Sequence, residues 1–355
     1  MRVTDTKRYK VLLVDDSPSI LHLLTKGLSN HPQIEVIGTA KDAYDAREKI
    51  KALNPDVITL DVEMPRMSGL DFLERLMRLR PMPVVMLSSV TLEGSAAAVR
   101  ALSLGAVDVQ VKPVTGLDET FLQEFAARVV TAARSRSRSH RPMTGLHPAP
   151  SVTKRADFGR WNGKIVLIGA STGGVAALET VLKSMPKDGP PIVVSQHMPE
   201  MFLRSFVDRL DQKNAMTVRV ASDGDVLKQG HVYLAPGGDR HTIVEKRGKS
   251  FVCCDKIGPK TNGHYPSVDE LFHSAVSFGE LVVGVILTGL GRDGAAGLKA
   301  LRDAGAATLG QNKETCTVYG MPRAAFELGA IDTQVPIDAV AKHICRLTDK
   351  AAVVV

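Results

Sequence analysis

Three short runs rich in Val and Ile in the second half of the chain each stop on a polar residue: KIVLIGAS at Ser171, PIVVSQH at His197 and LVVGVILTGLGRD at Asp293. Each leads into a helix-like stretch, so each reads as a buried parallel strand followed by a crossover helix. Open parallel sheets hold their ligands at the carboxyl ends of the strands. The three polar residues are therefore expected at one sheet edge, whatever their separation along the chain. They form a chemically useful set. A serine hydroxyl is a weak nucleophile at neutral pH, and an imidazole can take its proton only when a carboxylate fixes the tautomer.

At 355 residues the chain is long enough for about two domains, each able to bury its own core. No apolar stretch approaches the roughly 18 residues of a membrane span, and MRVTDTKRYK lacks the pattern of a secretory leader, so a cytoplasmic protein without membrane insertion is expected. Cys253, Cys254, Cys316 and Cys345 show no CxxC spacing and fit reduced thiols. The net charge of +7 would suit a nucleic-acid partner, but its distribution argues otherwise. Arg134, Arg136, Arg138, Arg141, Lys154, Arg155 and Arg160 stand against Asp157 alone. That stretch mixes Arg, Ser, Pro and Gly without apolar periodicity, so 134–160 is expected to be a flexible basic linker between domains at 8–133 and 161–348.

The first domain alternates strand and helix patterns. YKVLLVDD, IEVIGTA, DVITLD, PVVMLSS and AVDVQV read as five strands, with helix-like segments such as AYDAREKIKAL between them. Ser17 as cap and Pro18 at the first helical position mark the start of the first helix. Asp15, Asp16 and Asp61 close strands of one sheet and should converge, with Lys112 arriving from the fifth strand. Such an oxygen-only cluster suits hydrated Mg²⁺.

Together VDDS, ITLDVEMPRMSGLDFL, MLSS and VKP resemble the receiver domain of bacterial response regulators, a flavodoxin-like five-stranded parallel sheet. The resemblance implies that Asp61 is the phosphoacceptor and that Asp15, Asp16, Asp61 and the Glu63 backbone carbonyl hold Mg²⁺. It also implies that Ser88 and Lys112 sense the phosphoryl group. Val109 departs from the pattern, standing where many receivers carry an aromatic.

In the second domain, GASTG from Gly169 fits the G-x-S-x-G elbow of α/β-hydrolases. The order Ser171, His197, Asp293 differs from the Ser, acid, His order of that fold, so a distinct doubly wound sheet is expected. GLGRDG, Gly289 to Gly294, fits a dinucleotide-binding turn with Glu314 as its distal acid, which keeps a receiver-controlled nucleotide enzyme as an alternative. A carboxylate at Asp293 would repel pyrophosphate. The same glycines would let backbone N–H groups approach an oxyanion. A DNA-binding regulator is the third reading, against which no helix-turn-helix pattern is visible. His264, in NGHYPSVDELF, is a further cleft candidate, whereas His22, His231, His241, His273 and His343 read as structural.

IGASTGG, SQHMP, NGHYPSVDELFHS, GVILTGLGRDGAAG and QNKETCTVYGMPRAA closely resemble the catalytic domain of the chemotaxis protein-glutamate methylesterases. Leu290, Gly263 and Arg292 depart from frequent choices in that family. The resemblance implies that Ser171, His197 and Asp293 are catalytic, with Thr172, Leu290, Gly291 and His264 around the oxyanion and pocket. It implies methyl-accepting chemotaxis receptors as substrate, hydrolysis of glutamate methyl esters, deamidation of receptor glutamines, and a chemotaxis histidine kinase as phosphodonor. Mg²⁺ is expected for receiver phosphorylation and no cofactor for ester hydrolysis. A tethered receiver suggests control of access to the serine, so deleting residues 1 to about 150 is expected to raise basal hydrolysis.

Overall fold

The apolar runs are buried along nearly their whole length because a central strand of a parallel sheet has helices on both faces. In the computed structural model, which describes residues 7–88, 91–113, 116–139 and 158–350, the chain divides into two units, Met1–Pro142 and Met143–Val355.

The first unit runs β1 (Tyr9–Val14), α1 (Pro18–Ser29), β2 (Ile34–Ala40), α2 (Ala43–Leu53), β3 (Val57–Asp61), α3 (Gly69–Leu79), β4 (Val84–Ser88), α4 (Leu92–Ser103), β5 (Asp108–Val111) and α5 (Glu119–Ser139). Its five strands are parallel in the order β2-β1-β3-β4-β5. Ser17 caps α1 by accepting from the Ile20 N–H, with Pro18 in the first turn, as the sequence predicts. Leu24 and Leu28 of α1 pack with Phe125 and Val129 of α5 against Val11 and Leu13.

The second unit runs β6 (Ile165–Ala170), α6 (Gly174–Lys183), β7 (Ile192–Gln196), α7 (Glu200–Lys213), β8 (Thr217–Val220), β9 (His231–Leu234), β10 (Arg240–Arg247), β11 (Ser250–Ile257), α8 (Val268–Ser274), β12 (Val282–Ile286), α9 (Ala295–Asp303), β13 (Ala307–Gln311), α10 (Met321–Glu327), β14 (Thr333–Val335) and α11 (Val340–Thr348). Seven strands form a parallel sheet in the order β14-β13-β12-β6-β7-β9-β8, and β10 and β11 form a separate antiparallel ribbon. The chain leaves β6 toward β7 on one side and returns to β12 on the other. The crevice beyond β6 and β12 is thus a topological switch point, where such sheets bind ligands.

The expected linker is shorter than 134–160. Helix α5 continues through Ser139, because Arg is a good helix former, no Gly or Pro intervenes before Pro142, and Arg134 donates to the Gln33 side chain at 3.1 Å. At the other end, the Gly159 and Arg160 N–H groups donate to the Asp349 carboxylate at 2.7 and 3.2 Å, so the second unit already begins there. Residues 140–157 lie outside the described residues. Among the described residues, no helix is long and apolar enough to cross a membrane.

Candidate active site and phosphoacceptor site

Ser171 is the first residue past β6 and His197 the first past β7, so adjacent strands deliver both to one edge. The last ladder bond runs from the His197 N–H to the Ala170 carbonyl at 3.0 Å. Beyond it the strands part, and a side chain takes over. The buried Gln196 amide donates to the Ser171 carbonyl at 3.0 Å and the His197 carbonyl at 2.9 Å.

Asp293 lies beyond β12, in the turn leading to α9, and is 2% exposed. His197 Nε2 meets its Oδ2 at 2.8 Å. Further donors surround the carboxylate: Val268 N–H at 2.7 Å, Asn262 Nδ2 at 2.8 Å, Ser267 Oγ at 2.9 Å and Asp269 N–H at 3.3 Å. Burial alone would raise its pKa, but hydrogen bonds from His197, Asn262 and the Val268 N–H outweigh burial and hold the carboxyl well below the usual range. An ionised Asp293 makes Nε2 the protonated ring nitrogen of neutral His197. Nδ1 is then left with its lone pair, buried and without a hydrogen-bond partner among the described residues. His264 lies parallel on the His197 ring, 3.7 Å between centroids and 11° between planes.

The glycine run works as packing at this edge. A Cβ on Gly289 would stand 2.8 Å from Ser171 Cβ and 2.2 Å from Met321 Sδ. Gly294, at φ 84°, starts α9 directly behind Asp293. Asp293 holds an ionised carboxylate inside this turn, which would repel pyrophosphate, so the nucleotide alternative is not favoured. The described part of the second unit is organised around the seven-stranded sheet, which likewise leaves the DNA-binding alternative unsupported.

Backbone donors divide into two groups. The Ser171 N–H is bonded to the Thr288 carbonyl and the Gly289 N–H to the Val318 carbonyl, each at 3.0 Å. The N–H groups of Thr172, Leu290 and Gly291 have no hydrogen-bond partner among the described residues. Thr288 Oγ1 holds this region by donating to Thr172 O and accepting from the Val318 N–H. The Cys316 thiol lies 3.8 Å from the Gln311 carbonyl.

In the first unit, Asp15, Asp16 and Asp61 offer carboxylate oxygens within 4.8 Å of one another. Lys112 Nζ lies 2.8 Å from both Asp15 and Asp61. Burial, only partly offset by Lys112, pushes the Asp61 carboxyl up to about 6. For Lys112 the order reverses: burial opposes its charge, but hydrogen bonds to Asp15 and Asp61 win and raise its pKa. Ser88 is fully buried at the end of β4, and its carbonyl accepts from the Lys112 N–H at 2.8 Å. The Glu63 N–H bonds the Asp61 carboxylate, and Asp16, Glu63 and Met64 help line a pocket of about 580 Å³. Three carboxylates facing one ammonium in an all-oxygen site fit a hard divalent cation.

Both units match known protein families. The response regulator receiver domain family matches residues 11–121, and the CheB methylesterase family matches residues 166–344. The chain belongs to the CheB methylesterase family. A Rhizobium johnstonii protein named protein-glutamate methylesterase/protein-glutamine glutaminase 1 is 52% identical to this CheB-family chain over 341 residues, covering 96% of each. A Bordetella bronchiseptica protein-glutamate methylesterase/protein-glutamine glutaminase is 50% identical, covering 97% of this chain and 99% of its own length. The crystal structure of the Thermotoga maritima CheB methylesterase catalytic domain matches at 37% identity and TM-score 0.51, covering 52% of this chain and 99% of that one.

Sequence reasoning missed Gln196, Asn262, Ser267 and Asp269. A signal existed for Ser267: with Glu270 it forms an S-x-x-E capping pattern, and its Oγ accepts from the Glu270 N–H while donating to Asp293. Gln196 is a polar residue inside an otherwise apolar run, beside the histidine.

Proposed function

We propose that this CheB-family protein is a phosphorylation-regulated serine hydrolase that removes methyl groups from glutamate γ-methyl esters of methyl-accepting chemotaxis receptors and deamidates selected receptor glutamines. The observation that carries the reading is the buried His197–Asp293 pair with one ring nitrogen left open, at the strand edge that also carries Ser171.

In this mechanism His197 Nδ1 takes the Ser171 hydroxyl proton as Oγ attacks the ester carbonyl. Asp293 stabilises the resulting imidazolium through Nε2–H. The unpaired N–H groups of Thr172, Leu290 and Gly291 are the available oxyanion donors, since those of Ser171 and Gly289 are occupied. Collapse of the tetrahedral intermediate breaks the bond to the methoxy oxygen, which leaves as methanol with the proton from Nδ1. Water repeats the sequence on the acyl-enzyme and releases the glutamate. A glutamine side chain passes through the same intermediate and releases ammonia. No cofactor enters these steps.

Regulation is assigned to the first unit, with Asp61 as phosphoacceptor, a chemotaxis histidine kinase as phosphodonor, and Ser88 and Lys112 sensing the phosphoryl group. Asp15, Asp16, Asp61 and the Glu63 carbonyl would hold Mg²⁺, which supplies charge neutralisation for phosphoryl transfer. The place of action is the cytoplasm, where receptor methylation helices and kinase are found, with neither membrane insertion nor a nucleic-acid partner.

Methanol release from membranes bearing methylated receptors tests the proposal. Wild-type protein should release methanol faster with a small phosphodonor and Mg²⁺, and Ser171→Ala should lower release by at least about 10³-fold in either condition. Release unaffected by Ser171→Ala would remove the serine from the mechanism.

A further inference from the structure

The turn joining the β10–β11 ribbon to α8 reaches two members of the acid–base pair at once. His264 lies on the His197 ring, while two residues earlier Asn262 reaches behind it to the acid. The Asn262 Nδ2 group donates one hydrogen to Asp293 Oδ1 at 2.8 Å and the other to Asp269 Oδ2 at 2.7 Å. Both acceptors are buried carboxylates, 2% and 6% exposed. The amide orientation follows from this: the flipped form would turn its oxygen toward both anions. The backbone is arranged to deliver it. Asn262 sits at φ 54° and Gly263 at φ 84°, and Thr261 pairs with His264 to close the turn. Asn tolerates the left-handed region better than most side chains.

Two carboxylates sharing one polar cluster repel, and such a pair normally takes up a proton. Asp269 has a second donor, the Gly297 N–H at 2.7 Å, yet burial still raises its pKa. The other groups facing this cluster are His197 at the end of β7, His241 of β10, His264 of the turn, Glu270 and His273 of α8, Lys256 of β11 through Glu270, and Arg292 beside Asp293. His241 is occupied on both sides, by the Pro259 carbonyl and the Ser267 N–H. Among the described residues, Asn262 is the side chain that donates to both carboxylates.

We propose that Asn262 is a positioning residue of the hydrolytic site, its amide bridging Asp293 and Asp269 so that Asp293 stays ionised and aimed at His197 Nε2. This deepens the hydrolase reading and rests on it for its catalytic consequence. Asn262 is itself exposed, so its replacement leaves the core intact.

The test uses full-length wild type, Asn262→Gly and Asn262→Asp. Glycine removes the amide without backbone strain. It should lower kcat for ester hydrolysis about tenfold, the effect of losing the charged hydrogen bond to Asp293, with KM within about twofold and the thermal midpoint lowered by a few degrees while the protein stays folded. Aspartate can donate to Asp293 only while protonated. The ratio of Asn262→Asp to wild-type kcat/KM should therefore fall as pH rises from about 5.5 to 8, whereas the Asn262→Gly ratio should stay flat. Independently of substrate, the downfield NMR resonance of the His197 Nε2 proton should be strong in wild type and shifted or exchange-broadened in Asn262→Gly. Unchanged kcat together with an unchanged resonance would overturn the proposal, as would a loss of activity matched by loss of folded protein. If wild type hydrolyses no receptor ester, the hydrolase reading fails by itself, and the resonance still decides what Asn262 does to the Asp293–His197 pair.

Discussion

Asp61 and Asp293 occupy equivalent places in two unrelated halves of one chain. Each is a nearly buried carboxylate at the carboxyl end of a parallel sheet, yet burial pushes Asp61 up to about 6 while Asp293 is held well below the ordinary range. Burial opposes ionisation at both, so the difference lies in the donors. Asp293 receives His197, Asn262, Ser267 and two backbone N–H groups. Asp61 shares Lys112 with Asp15 and has Asp16 close by. A site with saturated donors keeps a fixed charge for catalysis. A site short of positive charge suits the cation proposed to bind there.

The largest effect that would break this comparison comes from Asp293→Asn. Asp293 Oδ2 accepts from His197 and Val268, and Oδ1 from Asn262, Ser267 and Asp269. Either orientation of an amide therefore sets its NH₂ against donors. With NH₂ toward His197, Nε2 must become an acceptor, which moves the ring proton to Nδ1 and removes the base. We expect kcat to fall about 10³- to 10⁴-fold with the fold retained, measured as methanol release. A loss below tenfold would mean that the carboxylate does not set the tautomer. In wild type, the depressed Asp293 pKa contributes stability that is present above the unfolded carboxyl value near 4 and is lost as pH falls through the native one.

Asp61→Asn tests the other half with the opposite sign. A carboxyl raised to about 6 contributes stability fully present below about pH 4, its ordinary value, and lost as pH rises through 6. The full difference is on the order of 3 kcal/mol. In Mg²⁺-free buffer the receiver unit of Asp61→Asn should melt together with wild type at pH 4 and several degrees above it at pH 7.5. Added Mg²⁺ should narrow that gap by stabilising wild type, and phosphodonor stimulation of methanol release should vanish in the variant with basal release retained. A gap independent of pH would show that Asp61 is not destabilised by its surroundings.

What could be read from sequence follows the same division between strand ends and the donors around them. The places of Ser171, His197 and Asp61 were legible because each stands at the end of a Val- and Ile-rich strand, and that of Asp293 because it lies in the turn that follows one. Ser17 and Pro18 were legible because capping is local in sequence. Asn262 and Asp269 were not, because their role depends on a turn folding back over a strand end 31 and 24 residues away. In sequence NGHYPSVDELF points to His264 as a cleft residue but carries no sign that Asn262 and Asp269 meet at Asp293. The end of α5 was misplaced for a different reason: alternating Arg and Ser has no apolar period, but helix propensity and one hydrogen bond to Gln33 carry the helix through Ser139. Neither the tautomer of His197 nor the occupied state of the Ser171 N–H is written in any local pattern.

Gln196 provides the smallest expected effect and the sharpest control on the comparison. Like Asn262 it is a neutral amide, but it holds backbone carbonyls and touches no carboxylate. In Gln196→Met, the His197 carbonyl loses a donor, while the Ser171 carbonyl keeps the Gly174 N–H at 2.7 Å. A side chain of similar volume limits the packing cost. Loss of about one hydrogen bond should lower kcat by about tenfold or less and the thermal midpoint by a few degrees. Because no titrating group loses a partner, the ratio of variant to wild-type kcat/KM should be flat from about pH 5.5 to 8, whereas the ratio for Asn262→Asp should fall. A pH-dependent ratio for Gln196→Met would mean that the clamp on the two strand ends also sets the charge state of His197, and donors to the carboxylate alone would no longer explain why Asp293 and Asp61 differ.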